Sequence, residues 1–123
     1  MPHNPHNLQV VQRAFALSVD VHRLADRHQD AMAHSSPGMR NQLLRAVNSI
    51  ALNLAEGTGH DAPAKTASFC SIAIASCNEV ELQLRLALAL QAIPAEYDTL
   101  IEEVIEIRRM TYGFRKHVLT KTI

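Results

Sequence analysis

Several groupings of residues in this chain are of the types that do chemistry, and each can be weighed on its spacing. Helical bundles often house metals, and a di-iron centre needs Glu-x-x-His pairs on facing helices. No Glu-x-x-His occurs here; Glu56 and His60 are four apart, with Gly57 and Gly59 between them. His22 and Asp26 stand at i and i+4, but Arg23 and Arg27 flank them, which reads better as a solvated charged face. His3 and His6 fall in an N-terminal tail, and His28 falls in an apolar seam, where a hydrogen-bonded core or interface histidine is the plainer reading. Cys70 and Cys77 are seven apart on one helical face. That spacing separates them by about 10 Å along the axis, too far for a disulfide. No basic residue neighbours either on its own helix, so burial should leave two inert thiols. A nucleophile needs a base and an orienting group beside it, and none is in place. Gly57-Thr58-Gly59 has neither a preceding strand nor the lysine of a phosphate-binding loop. We therefore expect a non-enzymatic protein with no catalytic residue, metal or cofactor.

A second grouping is polar without being reactive. Ser49, Asn53 and Glu56 lie on one side of a helical segment at i, i+4 and i+7. Ser76 and Glu79 are neighbours at i and i+3 on the next segment, with Asn78 adjacent. Buried amides and carboxylates must be hydrogen-bonded or they are strongly destabilising. The pattern predicts a lateral network joining the two helices, with Arg45 as the charge partner of Glu79 or Glu56. A pocket for a small polar ligand is the functional alternative.

The elements that must position these residues follow from composition and periodicity. Apolar residues make up 47% of 123, yet only five are aromatic (three Phe, two Tyr, no Trp), so the core must be built from Leu, Ile, Val and Ala. Four glycines and five prolines, the prolines lying between periodic stretches, argue against a turn-rich sheet protein. Val10, Ala14, Leu17, Val21, Leu24, His28 and Ala31 step by four and three, predicting a first helix over about 8–34. Ser36 is a candidate cap and Pro37 a candidate first-turn residue for a second helix over 37–57. Pro63 opens a third over 63–92, and a fourth over 95–119 carries Leu100, Val104, Ile107, Thr111, Phe114 and Val118 inward. Short connections give an all-α, single-domain, antiparallel up-down-up-down four-helix bundle, preceded by a disordered tail at 1–7.

In the third segment Leu82, Leu84, Leu86, Leu88 and Leu90 alternate with Gln, Arg and Ala, as in a half-buried strand. The intervening residues are strong helix formers, and Cys70, Ala73, Cys77, Val80, Leu84 and Ala87 keep the helical step. On a helix, Leu82, Leu86 and Leu90 lie on one arc and Leu84 and Leu88 nearly opposite. One arc faces the core. The other, whichever it is, needs a cover, and a second copy of the protein is the simplest one.

Twelve basic and twelve acidic side chains cancel, and the pI is about 7.1. A dedicated nucleic-acid binder is usually clearly basic. The charges are segregated, however: Glu96, Asp98, Glu102, Glu103 and Glu106 come first, then Arg108, Arg109, Arg115, Lys116 and Lys121. No signal peptide or membrane span is evident, which predicts a cytoplasmic protein.

Two motifs also carry a resemblance. The stretch Gln42-Leu43-Leu44-Arg45-Ala46 to Asn53-Leu54-Ala55-Glu56-Gly57, and the stretch from Phe69 through Ala75-Ser76-Cys77-Asn78-Glu79, resemble the signature of a bacterial family of small four-helix-bundle proteins. Some of these are encoded inside intervening sequences of large-subunit ribosomal RNA genes, and the accessory proteins of diversity-generating retroelements are similar. The resemblance covers roughly Phe15 to Leu119. It implies an antiparallel four-helix bundle assembled as a ring, commonly of five subunits. The retroelement relatives are strongly basic and bind nucleic acid; this chain departs from the pattern at Leu44 and His60, where many members carry a basic residue. The expected role is thus a self-assembling interaction or accessory module, a homopentamer by resemblance. The alternative is binding of structured RNA or DNA through Arg40, Arg45, Lys65, Arg108, Arg109, Arg115 and Lys116, for each of which a solvated surface position is the simpler reading.

Overall fold

A computed structural model describes residues 8–120. The predicted tail at 1–7, with His3 and His6, and Lys121 at the other end lie outside the described residues. The described chain is all helical and forms a single domain with no strand. It contains α1 (Gln9–Arg27), α2 (Gln29–Ser35), α3 (Met39–Thr58), α4 (Pro63–Ala89), a 3-10 turn at Ala95–Tyr97 and α5 (Asp98–Thr120). Helix α1 packs on α3 and α5, and α4 packs on both of the same helices from the other side. Their inner stripes meet in a core of aliphatic side chains that includes Leu17, Leu24, Leu43, Ile50, Leu54, Leu84 and Ile107. On α5 the predicted inner residues Val104, Ile107, Thr111 and Val118 are buried, and Ile101 joins them. The buried Thr111 hydroxyl donates to the Ile107 carbonyl at 2.7 Å, so no polar group is stranded there. No helix is long and apolar enough to cross a membrane among the described residues.

Four boundaries differ from the sequence expectation by more than one residue. The first helix is not continuous over 8–34: His28, at φ −113° and ψ 24°, leaves helical geometry and separates α1 from the short α2. The ladder bridges the break, with the His28 N–H on the Leu24 carbonyl at 2.9 Å and the Met32 N–H on the His28 carbonyl at 3.0 Å. Ser36 does not cap α3 with its hydroxyl. Its carbonyl instead accepts from the Met39 N–H at 3.1 Å. Gly38, at φ +86°, then starts the helix two residues later than Pro37 would. Helix α4 stops at Ala89 rather than 92 because Gln91 turns left-handed at φ +57°. The Ala92 N–H reaches back to the Ala87 carbonyl (2.8 Å) and the Gln91 N–H to Leu88 (3.0 Å), closing the end as a Schellman motif. The last helix is preceded by its own short turn, so regular α geometry begins at Asp98 and not near Ala95.

Candidate interaction surface

Helix α4 is apolar on more than one side, and packing decides which side turns inward. Val80, Leu84 and Ala87 are fully buried and Leu88 is half-buried, so the arc of Leu84 and Leu88 is the core arc. Leu82, Leu86 and Leu90 remain 68%, 41% and 45% exposed. Ile72 is exposed on the same helix. Of the two leucine arcs left open by sequence, this outward one is available to a neighbour. Three leucines repeating every fourth residue form a continuous row rather than scattered surface apolar residues.

Where α4 meets α3 the contact is close and polar. The Ser76 hydroxyl donates to Ser49 Oγ at 2.7 Å. The Asn53 amide donates to the same Oγ at 3.0 Å and to the Ser49 carbonyl at 2.8 Å. One turn further, a Cβ on Gly57 would sit 2.8 Å from Phe69 Cβ and 3.3 Å from the Thr66 carbonyl oxygen. Only a residue without a side chain allows the two backbones this approach. The Thr66 hydroxyl donates to the Gly57 carbonyl at 2.8 Å, inside the crossing. His60 stacks on Phe69 at 5.3 Å between ring centroids and reaches Glu56 at 3.4 Å.

Ser49, Asn53 and Ser76 are therefore brought together, and the charged members predicted beside them are not. Glu56 turns to His60, while Arg45 and Glu79 stand exposed and make no bond to the trio. The predicted pairing of Arg45 with Glu79 or Glu56 is absent because those side chains project from the outward arcs of α3 and α4, where water solvates them. The small hydroxyl and amide groups are the ones turned into the seam. On the other side of α3, the Ser18 hydroxyl donates to Asn48 Oδ1 at 2.9 Å and ties α1 in.

Three of the seven candidate phosphate-binding cations, Arg108, Arg109 and Arg115, already have side-chain partners. Arg108 donates to Glu81 at 2.7 Å and to Asn78 at 2.9 Å. Arg85 adds a second contact to Glu81 at 2.9 Å. The Arg108 contact, and after it that of Arg85, holds the Glu81 carboxyl below the usual carboxylate range. Arg109 binds Glu106 through two nitrogens, one at 2.9 Å. Arg115 donates to Ser71 at 3.0 Å and lies over the Tyr112 ring at 4.9 Å. Lys65 and Lys116 are exposed, and Arg40 is half-buried with an unpartnered Nε.

Cys70 and Cys77 are buried and unpaired. Burial pushes their thiols up to about 11 and about 12, against a smaller opposing pull from Arg115 and Arg108 respectively. Those two arginines come from α5, a proximity that neighbouring positions on α4 alone could not reveal. His22 Nδ1 lies 2.8 Å from the Ser18 carbonyl, one turn back on its own helix. His28 packs edge-on against Tyr97 at 5.5 Å between ring centroids, and its Nε2 is buried with no partner within the described chain. No group of three potential metal ligands gathers among the described residues.

One feature was missed by periodicity. Phe15 and Leu52 are 65% and 69% exposed and stand on the rims of a groove between α1 and α3, with a volume of about 460 Å³. Val19 and Ala51 line it between them, and His22 and Arg23 close one end. The available signal was an aromatic and a leucine standing off the inward stripes of their own helices.

A sequence profile described as "23S rRNA-intervening sequence protein" matches residues 6–113. No curated protein matches the chain. Among solved structures, a protein of unknown function from the S23 ribosomal protein family of Bacteroides thetaiotaomicron is similar in fold, with a TM-score of 0.74 at 23% identity. The similarity covers 87% of this chain and 98% of that one.

Proposed function

We propose, from the premise that this chain belongs to the 23S rRNA-intervening sequence protein family, that it is a non-enzymatic, self-assembling interaction module of the cytoplasm. Its scaffold is read as an antiparallel up-down-up-down bundle of α1, α3, α4 and α5, since each of these packs on its two neighbours and the connections are short. Copies of that scaffold assemble through their surfaces into a closed ring, the pentamer being the size that the family resemblance favours. The observation that carries this reading is the exposed row of Leu82, Leu86 and Leu90. Burying one leucine side chain contributes about 1.5–3 kcal/mol, so covering the row offsets a large part of the cost of bringing subunits together. Light scattering at micromolar concentration tests the assembly: a species several times the 13.6 kDa chain mass is expected, and a monomer overturns the reading.

A second reading is the binding of structured RNA or DNA, as an accessory to an rRNA- or retroelement-linked process. The observation in its favour is the cluster of Arg115 and Lys116 beside the Tyr112 ring, which a ring of subunits would repeat. The pairing of Arg108 with Glu81 and of Arg109 with Glu106 weighs against it, because a neutralised guanidinium displaces no counterion from phosphate. Binding measured at two salt concentrations is the test: a phosphate binder weakens steeply as salt rises, and absence of binding at low salt removes this reading.

A further inference from the structure

We infer that the groove between α1 and α3 is the seat for the α4 leucine row of a second copy, so that neighbouring copies join head to tail through two different surfaces. This rests on the self-assembly proposed above and goes further by naming both halves of the contact. The two surfaces match in length. Glu79 to Leu86 spans seven residue steps, and Phe15 to Arg23 along the groove spans eight. At 1.5 Å per residue these are about 10 and about 12 Å long. They match in shape and polarity as well: a row of three projecting leucines faces a recess walled by Phe15, Val19, Ala51 and Leu52.

A single chain cannot satisfy both surfaces by itself. Helices α1 and α4 share no substantial contact, and each packs instead on α3 and α5. A projecting row and a recess are not self-complementary, so the contact is heterologous and propagates until a ring closes.

Charge sets the direction of the inserted helix. Glu79 precedes the row on the same arc, three residues before Leu82 and seven before Leu86, and it is exposed with no partner. Arg23, at the far end of the groove from Phe15, is exposed and forms no ion pair, although Asp20 and Asp26 lie one turn to either side of it. Seating α4 antiparallel to the neighbour's α1 places Glu79 beside Arg23, Leu82 over Val19 and Leu86 against Phe15, with Leu90 one turn beyond the groove. The parallel arrangement would leave both charges unmatched at opposite ends.

The test uses two variants of the full chain. Leu86→Lys spoils the row and Leu52→Lys spoils the groove, and both positions are exposed, so circular dichroism should show folded protein in each case. By light scattering each variant alone is expected to be monomeric. An equimolar mixture is expected to give a 1:1 dimer, because the intact row of one variant fits the intact groove of the other. If wild type assembles and Leu52→Lys assembles equally well, or the mixture stays monomeric, the groove assignment is overturned while self-assembly stands. If wild type itself is monomeric, self-assembly falls first. For the direction, Glu79→Lys should weaken assembly several-fold and Arg23→Glu in the same chain should restore it; no restoration overturns the antiparallel seating.

Discussion

Against α3, helix α4 is held by small groups at close range; against α5, it is held by long charged side chains that reach across the surface. The first seam contains Gly57 under Phe69, Thr66 on the Gly57 carbonyl, and the Ser49, Asn53 and Ser76 trio. The second contains Glu81 between Arg85 and Arg108, and Arg115 on Ser71. Close packing of backbones tolerates almost no change of volume and is indifferent to ionic strength. Partly exposed ion pairs bend to accommodate substitution but are screened by salt. One helix thus has a rigid edge and a compliant edge, and the variants that follow separate the two.

The largest effect belongs to Gly57→Ala. The added methyl would meet Phe69 Cβ at 2.8 Å. Overpacking of this kind costs about 1–3 kcal/mol, which exceeds the gain of about 0.5–1 kcal/mol from replacing a helical glycine. Urea unfolding should show a net loss; equal or greater stability would mean the crossing is not tight. Next comes Asn53→Leu, which removes the amide shared between Ser49 Oγ and its carbonyl. A loss of about 1 kcal/mol is expected, and an unchanged melting temperature would remove the trio as a stabilising element.

Glu81→Gln should cost less, about 0.5 kcal/mol, and its effect should shrink in 1 M salt while that of Gly57→Ala does not. The pH dependence has a definite sign. Because the folded Glu81 carboxyl titrates below its ordinary value of 4.5, its contribution is present above that value and is lost as pH falls through the lowered one. Wild type should therefore lose more stability than Glu81→Gln as pH falls below 4.5, by thermal melts. The smallest effect is on the thiols. With Cys70 and Cys77 raised to about 11 and 12, labelling at pH 8 should be slow, and added salt should quicken it slightly by loosening the α5 side. Labelling at the rate of a free thiol would show that the compliant edge is open in the native protein.

The inner face of each helix was legible in the amino-acid sequence. Val10, Ala14, Leu17, Val21 and Leu24, like Val104, Ile107, Thr111 and Val118, step at helical intervals, and burial follows that step directly. What could not be read is whatever depends on how one helix is rotated against another. Either leucine arc of α4 satisfies periodicity, and only the docking of α3 and α5 selects Leu84 for the core. Arg45 and Glu79 have the charges of a pair, but their outward direction is a property of the assembled bundle. Phe15 and Leu52 are more than thirty residues apart, so the groove they flank exists in neither local pattern. The end of α4 escaped for a different reason: a glutamine in left-handed geometry at position 91 gives no glycine signal to find.

The close approach at Gly57 has a consequence for how relatives of this chain can diverge. An ancestor's choice of that residue constrains every descendant, since any side chain there would splay α3 from α4 and tilt everything mounted on the hairpin. Phe15 and Leu52 carry no such burden, because mutation can rewrite them while the scaffold folds unchanged. After a gene duplication, paralogues would then keep one architecture by inheritance and drift apart in the company each of them keeps.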